Sequence, residues 1–217
     1  MIQGIIFDMD GVIVKTEEIH YETYQETLQN YGIKITEEEY NNNWIRDGKG
    51  IEDFLKLKKL NIDPNPIRNK KRELYQSRLR TNVPIFDGVI ETLESLSNIF
   101  PLALATSSYR IETDLILEKL NIKKYFQSTI TANDVSIIKP HPECFLSSAA
   151  VLTICPEKTL VIEDAQKGVI AAKRAGMYCI AIPNNYTLSH DLSKVDLRLN
   201  SIKELTPSLI KSLYRKQ

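Results

Sequence analysis

Ile2-Gln3-Gly4-Ile5-Ile6-Phe7-Asp8-Met9-Asp10-Gly11 is the stretch on which the reading of this chain turns. A short, β-branched apolar run that stops at Asp and Gly has the pattern of a strand buried on both faces. Asp8 and Asp10 stand at i and i+2, so on an extended backbone they face the same side, and Gly11 permits a sharp turn straight after them. In open α/β sheets ligand chemistry sits at the carboxyl ends of the strands, which is where these two carboxylates fall. Turn formation and helix capping are the alternative uses of such Asp residues.

Outward from this strand the same signal returns at 101–105 (PLALA), 128–131 (STIT), 159–162 (TLVI) and 178–182 (YCIAI), with a candidate sixth strand at 196–199. Apolar residues at three- and four-residue spacing predict helices over 91–98, 111–120, 142–152 and 167–175. Alternating strands and helices imply an α/β fold, a Rossmann-like parallel sheet core with helices on both faces. From Lys15 to Asn82 the rhythm breaks. That segment carries amphipathic helical patterns over 19–31, 36–44, 51–60 and 66–79, punctuated by Asn41-Asn42-Asn43 and by Asn61-Ile62-Asp63-Pro64-Asn65-Pro66, both of which read as loops. The expected organisation is a core of residues 1–14 and 83–217 with a small all-helical cap, residues 15–82, inserted after the first strand.

Three further groups end predicted strands or begin predicted helices. Glu163-Asp164 closes the fourth strand; capping of the helix at Lys167 is its other reading. Two carboxylates brought to ~4 Å repel by about 4 kcal/mol at an effective dielectric of ~20. A cluster of Asp8, Asp10, Glu163 and Asp164 therefore calls for a hard divalent cation, and an all-oxygen donor set favours Mg²⁺ beside a substrate phosphate. Thr106-Ser107-Ser108 supplies hydroxyls and backbone N–H groups ahead of a helix, as an anion site or as ordinary caps. Lys139-Pro140-His141-Pro142 supplies a cation at a proline-stiffened helix entry, with His141 read as a loop residue.

Composition narrows the function classes. Lys plus Arg and Asp plus Glu are each 28, leaving no net charge to condense on nucleic acid or an anionic membrane. The total hides an asymmetry: residues 15–45 carry two basic and seven acidic side chains, and 46–80 carry eleven basic and five acidic. Cys144, Cys155 and Cys179 form neither a C-x-x-C pair nor a disulfide framework, so a reducing cytoplasm is expected. The apolar run at the start is too short for a signal peptide or a membrane span. Gly48-x-Gly50 follows no strand and lacks a third glycine, so it is no dinucleotide fingerprint. Trp44 is expected to pack in the helical core rather than stack on substrate.

In order, D-x-D-G (8–11), T-S-S (106–108), K-P-x-P (139–142) and E-D-A-x-x-G (163–168) together resemble the haloacid dehalogenase superfamily, over nearly the whole chain. The helical insertion resembles the cap of its subgroup containing β-phosphoglucomutase and phosphoglycolate phosphatase. The resemblance implies that Asp8 is a nucleophile forming an aspartyl phosphate and that Asp10 is the acid and then the base. It implies Mg²⁺ held by Asp8, the Asp10 carbonyl and Asp164, with Glu163 orienting a bound water. Thr106, the Ser107 N–H and Lys139 would bind the phosphoryl oxygens. An Asp at position 10 favours a phosphate ester over a phosphonate.

Two departures bear on the substrate. Lys15 replaces an acidic residue common in relatives, and Ile51 stands before Glu52-Asp53 where the sugar-phosphate mutases carry a phosphate-gripping Arg. Arg46 or Lys49 would have to compensate; His20 and Lys71, with Ser108, are the remaining candidates for substrate contact. The expectation is a Mg²⁺-dependent phosphatase for a small phosphorylated metabolite, with a phosphosugar mutase as the alternative. A phospho-aspartate signalling or binding module is the non-enzymatic reading. A monomer with no nucleic-acid or membrane partner is expected.

Overall fold

The computed structural model describes residues 1–213, so the end of the expected core, 214–217, lies outside the described residues. Its strands are β1 (Gly4–Phe7), β2 (Leu102–Ala105), β3 (Ser128–Ile130), β4 (Thr159–Glu163), β5 (Tyr178–Ala181) and β6 (Leu197–Arg198). They form one parallel sheet in the order β3-β2-β1-β4-β5-β6. The helices are α1 (Glu17–Gln29), α2 (Glu37–Tyr40), α3 (Ile51–Leu57), α4 (Pro64–Thr81), α5 (Val89–Ser97), α6 (Arg110–Lys119), α7 (Glu143–Val151), α8 (Gln166–Arg174) and α9 (Pro207–Ser212). Four of them, α1 to α4, lie between β1 and α5 with no strand among them.

Strand alternation divides the core into two layers. Ile5, Phe7, Leu102, Leu104, Leu160, Ile162 and Ile180 face one cluster with Leu93, Leu96, Ile116 and Ile210 from α5, α6 and α9. Ile6, Ala103, Ala105, Val161, Cys179 and Ala181 face the other, filled by Phe145 and Ala149 of α7 and Val169 and Ala172 of α8. Burial on both faces explains why β1, β2 and β4 read as continuous apolar runs. Small residues in β2 and β5 let α7 and α8 approach the sheet closely.

The helical segment has its own apolar cluster, Leu28, Ile33, Ile35, Tyr40, Ile45, Ile51, Phe54, Leu55 and Ile67, which also takes in Ala165 at the start of α8. Its two connections to the sheet run side by side: Lys15 N–H donates to the Pro84 carbonyl at 2.8 Å, and Phe86 N–H to that of Ile13 at 3.1 Å.

Both stretches expected to be loops in this segment are partly helical. Asn41-Asn42-Asn43 opens a π-helical turn, Asn41–Arg46, that continues directly from α2. Asn side chains favour loops because they compete for nearby backbone groups. Here those amides are used across the fold instead, Asn43 Nδ2 on the Gly50 carbonyl (3.1 Å) and Asn41 Nδ2 on the Tyr186 carbonyl. Pro64-Asn65-Pro66 forms the first turn of α4, where a missing N–H costs nothing, and the Asp63 carboxylate caps it by accepting from Asn65 N–H at 3.0 Å.

Candidate active site

The parallel sheet delivers the carboxyl ends of β1, β2 and β4 to a single edge, with β1 between the other two. Asp8 follows β1, Thr106 follows β2, and Glu163-Asp164 ends β4, so three distant segments become neighbours at the point where the strand order reverses. Gly11 makes the turn after Asp10 with φ +87°, and a side chain there would run into the Asp164 carboxylate. Asn184, just past β5, donates through Nδ2 to Asp164 Oδ2 at 2.8 Å and to the Gly11 carbonyl at 3.1 Å.

Lys139 sits at the centre, 2% exposed. Its ammonium donates to Asp8 Oδ1 at 2.6 Å, Glu163 Oε1 at 2.7 Å and the Ala105 carbonyl at 3.0 Å, and lies 4.5 Å from the Phe145 ring centroid. Burial opposes its charge, but Asp8 and Glu163 override that and hold it protonated well above the ordinary lysine range. Burial pushes Asp8 up to about 7, with Glu163 and Asp10 adding to the rise against the pull of Lys139. Burial also raises Asp164 well above the carboxylate range, reinforced by Glu163 and Asp8.

The sequence expectation of a Lys139 that reaches the phosphoryl oxygens is thus accompanied by a different set of bonds: its donors are spent on the carboxylates and a carbonyl. Glu163 is equally committed, its second oxygen accepting from the N–H groups of Asp164 (3.0 Å) and Ala165 (3.2 Å). Gly168 is required beside it, since a side chain there would overlap the Glu163 carboxylate. Gly168→Ala is therefore expected to cost about 1–3 kcal/mol through overpacking and to lower turnover by displacing the partner of Lys139. Chemical denaturation and steady-state rates on one preparation check both effects.

Asp8, Glu163 and Asp164 offer ligand oxygens that all lie within 4.8 Å of one another, each residue buried. Three carboxylates against the single Lys139 leave negative charge in excess, and the donors are all oxygen. This set fits a hard divalent cation.

Asp10 is turned toward the cleft by hydroxyls. Its Oδ1 accepts from Thr16, and its Oδ2 accepts from Ser108 at 2.7 Å and Thr106 at 3.3 Å. Ser108, expected among the substrate-contact candidates, is thereby engaged with Asp10 itself. Thr106 Oγ1 also accepts from the Ser108 N–H at 3.0 Å, while the Ser107 hydroxyl has no partner.

Above these residues a cleft of about 410 Å³ opens between the sheet edge and the helical segment. From that segment His20, Lys49, Lys71, Arg68, Arg72 and the rings of Tyr24, Tyr40, Trp44 and Tyr75 line it. His20 is stacked on Tyr75 with centroids 3.9 Å apart and accepts at Nδ1 from Lys71 at 2.5 Å. Burial lowers His20 well below the usual imidazole range, helped by the charge of Lys71. Burial also brings Lys71 down to about 8, against the opposing pull of Glu112, Glu17 and Asp10.

Arg46 is exposed, ion-paired with Asp47 at 2.9 Å, and is not among the residues lining the cleft. Lys49 lines it but shares the same Asp47 at 2.9 Å. Trp44 packs on Tyr24, Tyr40 and Phe54 as expected, and also contributes to the cleft wall. His141 is half-buried in the loop before α7, 3.7 Å from Glu143, and does not line the cleft.

Asn184, Arg68, Arg72 and Glu112 were not legible as site residues. For Asn184 a signal existed, because it follows a strand at the same sheet edge as the others.

The model of the haloacid dehalogenase-like hydrolases matches residues 5–182. The chain belongs to that family. Among proteins similar to this hydrolase is a phosphorylated carbohydrates phosphatase of Thermotoga maritima, 33% identical over 181 residues, covering 81% of this chain and 82% of that one. CbbY of Rhodobacter sphaeroides, solved with xylulose-1,5-bisphosphate, superimposes with a TM-score of 0.85 at 26% identity, covering 94% and 96% of the two chains. A β-phosphoglucomutase of Clostridium difficile gives 0.82 at 26% identity, covering 97% and 96%. Among the described residues, no helix of this hydrolase is long and apolar enough to cross a membrane.

Proposed function

We propose that this hydrolase is a Mg²⁺-dependent phosphatase acting on a small phosphorylated sugar or polyol. The observation that carries this reading is the buried Asp8, paired with Lys139 at 2.6 Å, on the floor of a cleft that also holds Asp10 and a second carboxylate pair. A lone buried carboxylate would be neutral or costly; one held by an ammonium and exposed to a cleft is a poised nucleophile.

In this scheme an Asp8 oxygen attacks phosphorus and the bond from phosphorus to the ester oxygen breaks. Asp10 gives its proton to that leaving alkoxide, so an alcohol departs and phosphate stays on Asp8. Asp10 then takes a proton from water, whose oxygen attacks phosphorus; free phosphate leaves and the Asp8 carboxylate is restored. Thr16 and Ser108 fix the Asp10 carboxyl through both shuttling steps. Thr106 and Ser107, ahead of α6, bind phosphoryl oxygens, with the Ser107 hydroxyl free to donate. Asp8, Asp164 and the Asp10 carbonyl would hold the cation, which when bound offsets the charge of the transferring phosphoryl group. Residues 15–82 act as the cap, excluding bulk water when substrate is bound.

A phosphatase is favoured over a phosphosugar mutase because Ile51, in the place of the mutase Arg, is 2% exposed and packed in the helical cluster. Arg46 and Lys49 are both drawn to Asp47 rather than free to replace it.

The test is a panel of hexose, hexitol and aryl phosphates, assayed separately for phosphate release and isomerisation. Expected is stoichiometric phosphate release that stops on chelation with EDTA and returns with Mg²⁺. Isomerisation without release would replace the phosphatase by a mutase. A phosphorylated protein stable for minutes with no turnover would replace it by a signalling module.

A further inference from the structure

Among the described residues, four buried side-chain polar atoms have no hydrogen-bond partner, and three of them, on Tyr75, Ser107 and Glu112, belong to residues lining the one cleft above Asp8. Buried polar groups left unpaired are costly, so their convergence on a cavity marks places where a ligand supplies the missing partner. Ser107 belongs to the phosphoryl site. Glu112 does not: it lies in the first turn of α6, where it meets α4 through Gln76, and plays no part in the phosphoryl chemistry.

The Glu112 side chain is 5% exposed. One oxygen, Oε1, accepts from Gln76 Nε2 of α4 at 2.9 Å and lies 3.9 Å from Arg72 Nε. The other, Oε2, has no partner. A carboxylate oxygen can only accept, so its ligand must donate. A phosphate would be repelled. A cationic group would enter a cleft wall already carrying Arg68, Lys71 and Arg72. A hydroxyl satisfies Oε2 without either penalty.

We infer that Glu112 Oε2 accepts a hydrogen bond from a hydroxyl of the substrate's carbon chain, making Glu112 the residue that favours polyhydroxylated phosphate esters over hydroxyl-free ones. This rests on the phosphatase reading above and specifies its substrate class. Arg72 has a supporting part: its guanidinium covers the Tyr109 ring at 4.5 Å from the centroid and approaches Oε1 at 3.9 Å, the oxygen that Gln76 also holds. Burial of the acceptor makes the discrimination strong, because a hydroxyl-free ester leaves Oε2 unpaired in a closed site.

Glu112→Gln keeps an acceptor for Gln76 and replaces Oε2 by an amide. The measurement is the ratio of kcat/KM for a hexitol phosphate to kcat/KM for p-nitrophenyl phosphate. In Glu112→Gln that ratio is expected to fall about tenfold, carried mainly by KM, as for loss of a hydrogen bond to a charged group. If Glu112 only ties α6 to α4, both substrates decline in parallel, and Gln76→Leu, which removes the tie, does the same; that outcome overturns the inference. A wild-type protein that hydrolyses p-nitrophenyl phosphate but no hydroxylated ester overturns the substrate reading itself, and a protein inactive on both overturns the phosphatase reading.

Discussion

Asp8→Asn is expected to abolish phosphate release, a loss of about 10⁴- to 10⁶-fold on the scale seen when a nucleophile is removed from a catalytic unit, with no loss of stability. The two halves have different causes. An amide oxygen cannot form the acyl phosphate, so the covalent route closes. Stability survives because Lys139 keeps Glu163 at 2.7 Å and the Ala105 carbonyl at 3.0 Å, while one of three crowded buried carboxylates loses its charge. Thermal unfolding alongside phosphate release reads both. Retained turnover would remove Asp8 as nucleophile; a large drop in melting temperature would mean that its part is structural.

Lys139→Met should do the opposite to stability. Met matches the length of the lysine stem, so packing against Phe145 is largely kept, but Asp8, Glu163 and Asp164 lose their only close ammonium among the described residues. Leaving a buried charge without its partner costs about 3–5 kcal/mol. At ~2–4 °C per kcal/mol for a chain of this size, the melting temperature should fall by roughly 6–20 °C. Turnover should fall by at least about 10²-fold, as when a single charge-stabilising donor is lost. Millimolar Mg²⁺ should raise the melting temperature of the variant more than that of the wild type, since a cation that binds only the folded form stabilises it by mass action. A variant that melts like the wild type would show that the lysine is not what makes the carboxylate cluster tolerable.

Much of the core site is legible in the chain itself, and for a local reason. D-x-D-G, T-S-S and E-D each follow a short apolar run, and in a parallel sheet the ends of such runs reach one edge whatever separates them in the chain. Apart from the family resemblance, Lys139 reads only as a cation at a helix entry, because its contact with Asp8 spans 131 residues. The helical segment was harder. Asn41-Asn42-Asn43 has loop chemistry, and its π-helical form depends on carbonyls of Gly50 and Tyr186 that local pattern does not reveal. Pro64 and Pro66 have the pattern of breakers, although a first helical turn accepts proline.

Glu112 shows the limit most directly. By spacing it is an acidic residue near the start of an amphipathic helix, an ordinary solvated position. It is buried because α4, 36 residues earlier at Gln76, packs across it, and that packing leaves one oxygen of a cleft-lining residue without a partner. The parallel α/β core and the order of its strand-end carboxylates follow from strand periodicity and the common direction of parallel strands, local properties summed along the chain. Packing alone settles that Lys139 is consumed by two carboxylates, that Ser108 belongs to Asp10 and that Glu112 lines the cleft. Those outcomes depend on which side chains meet when remote elements pack, and burial sets the energy of each meeting.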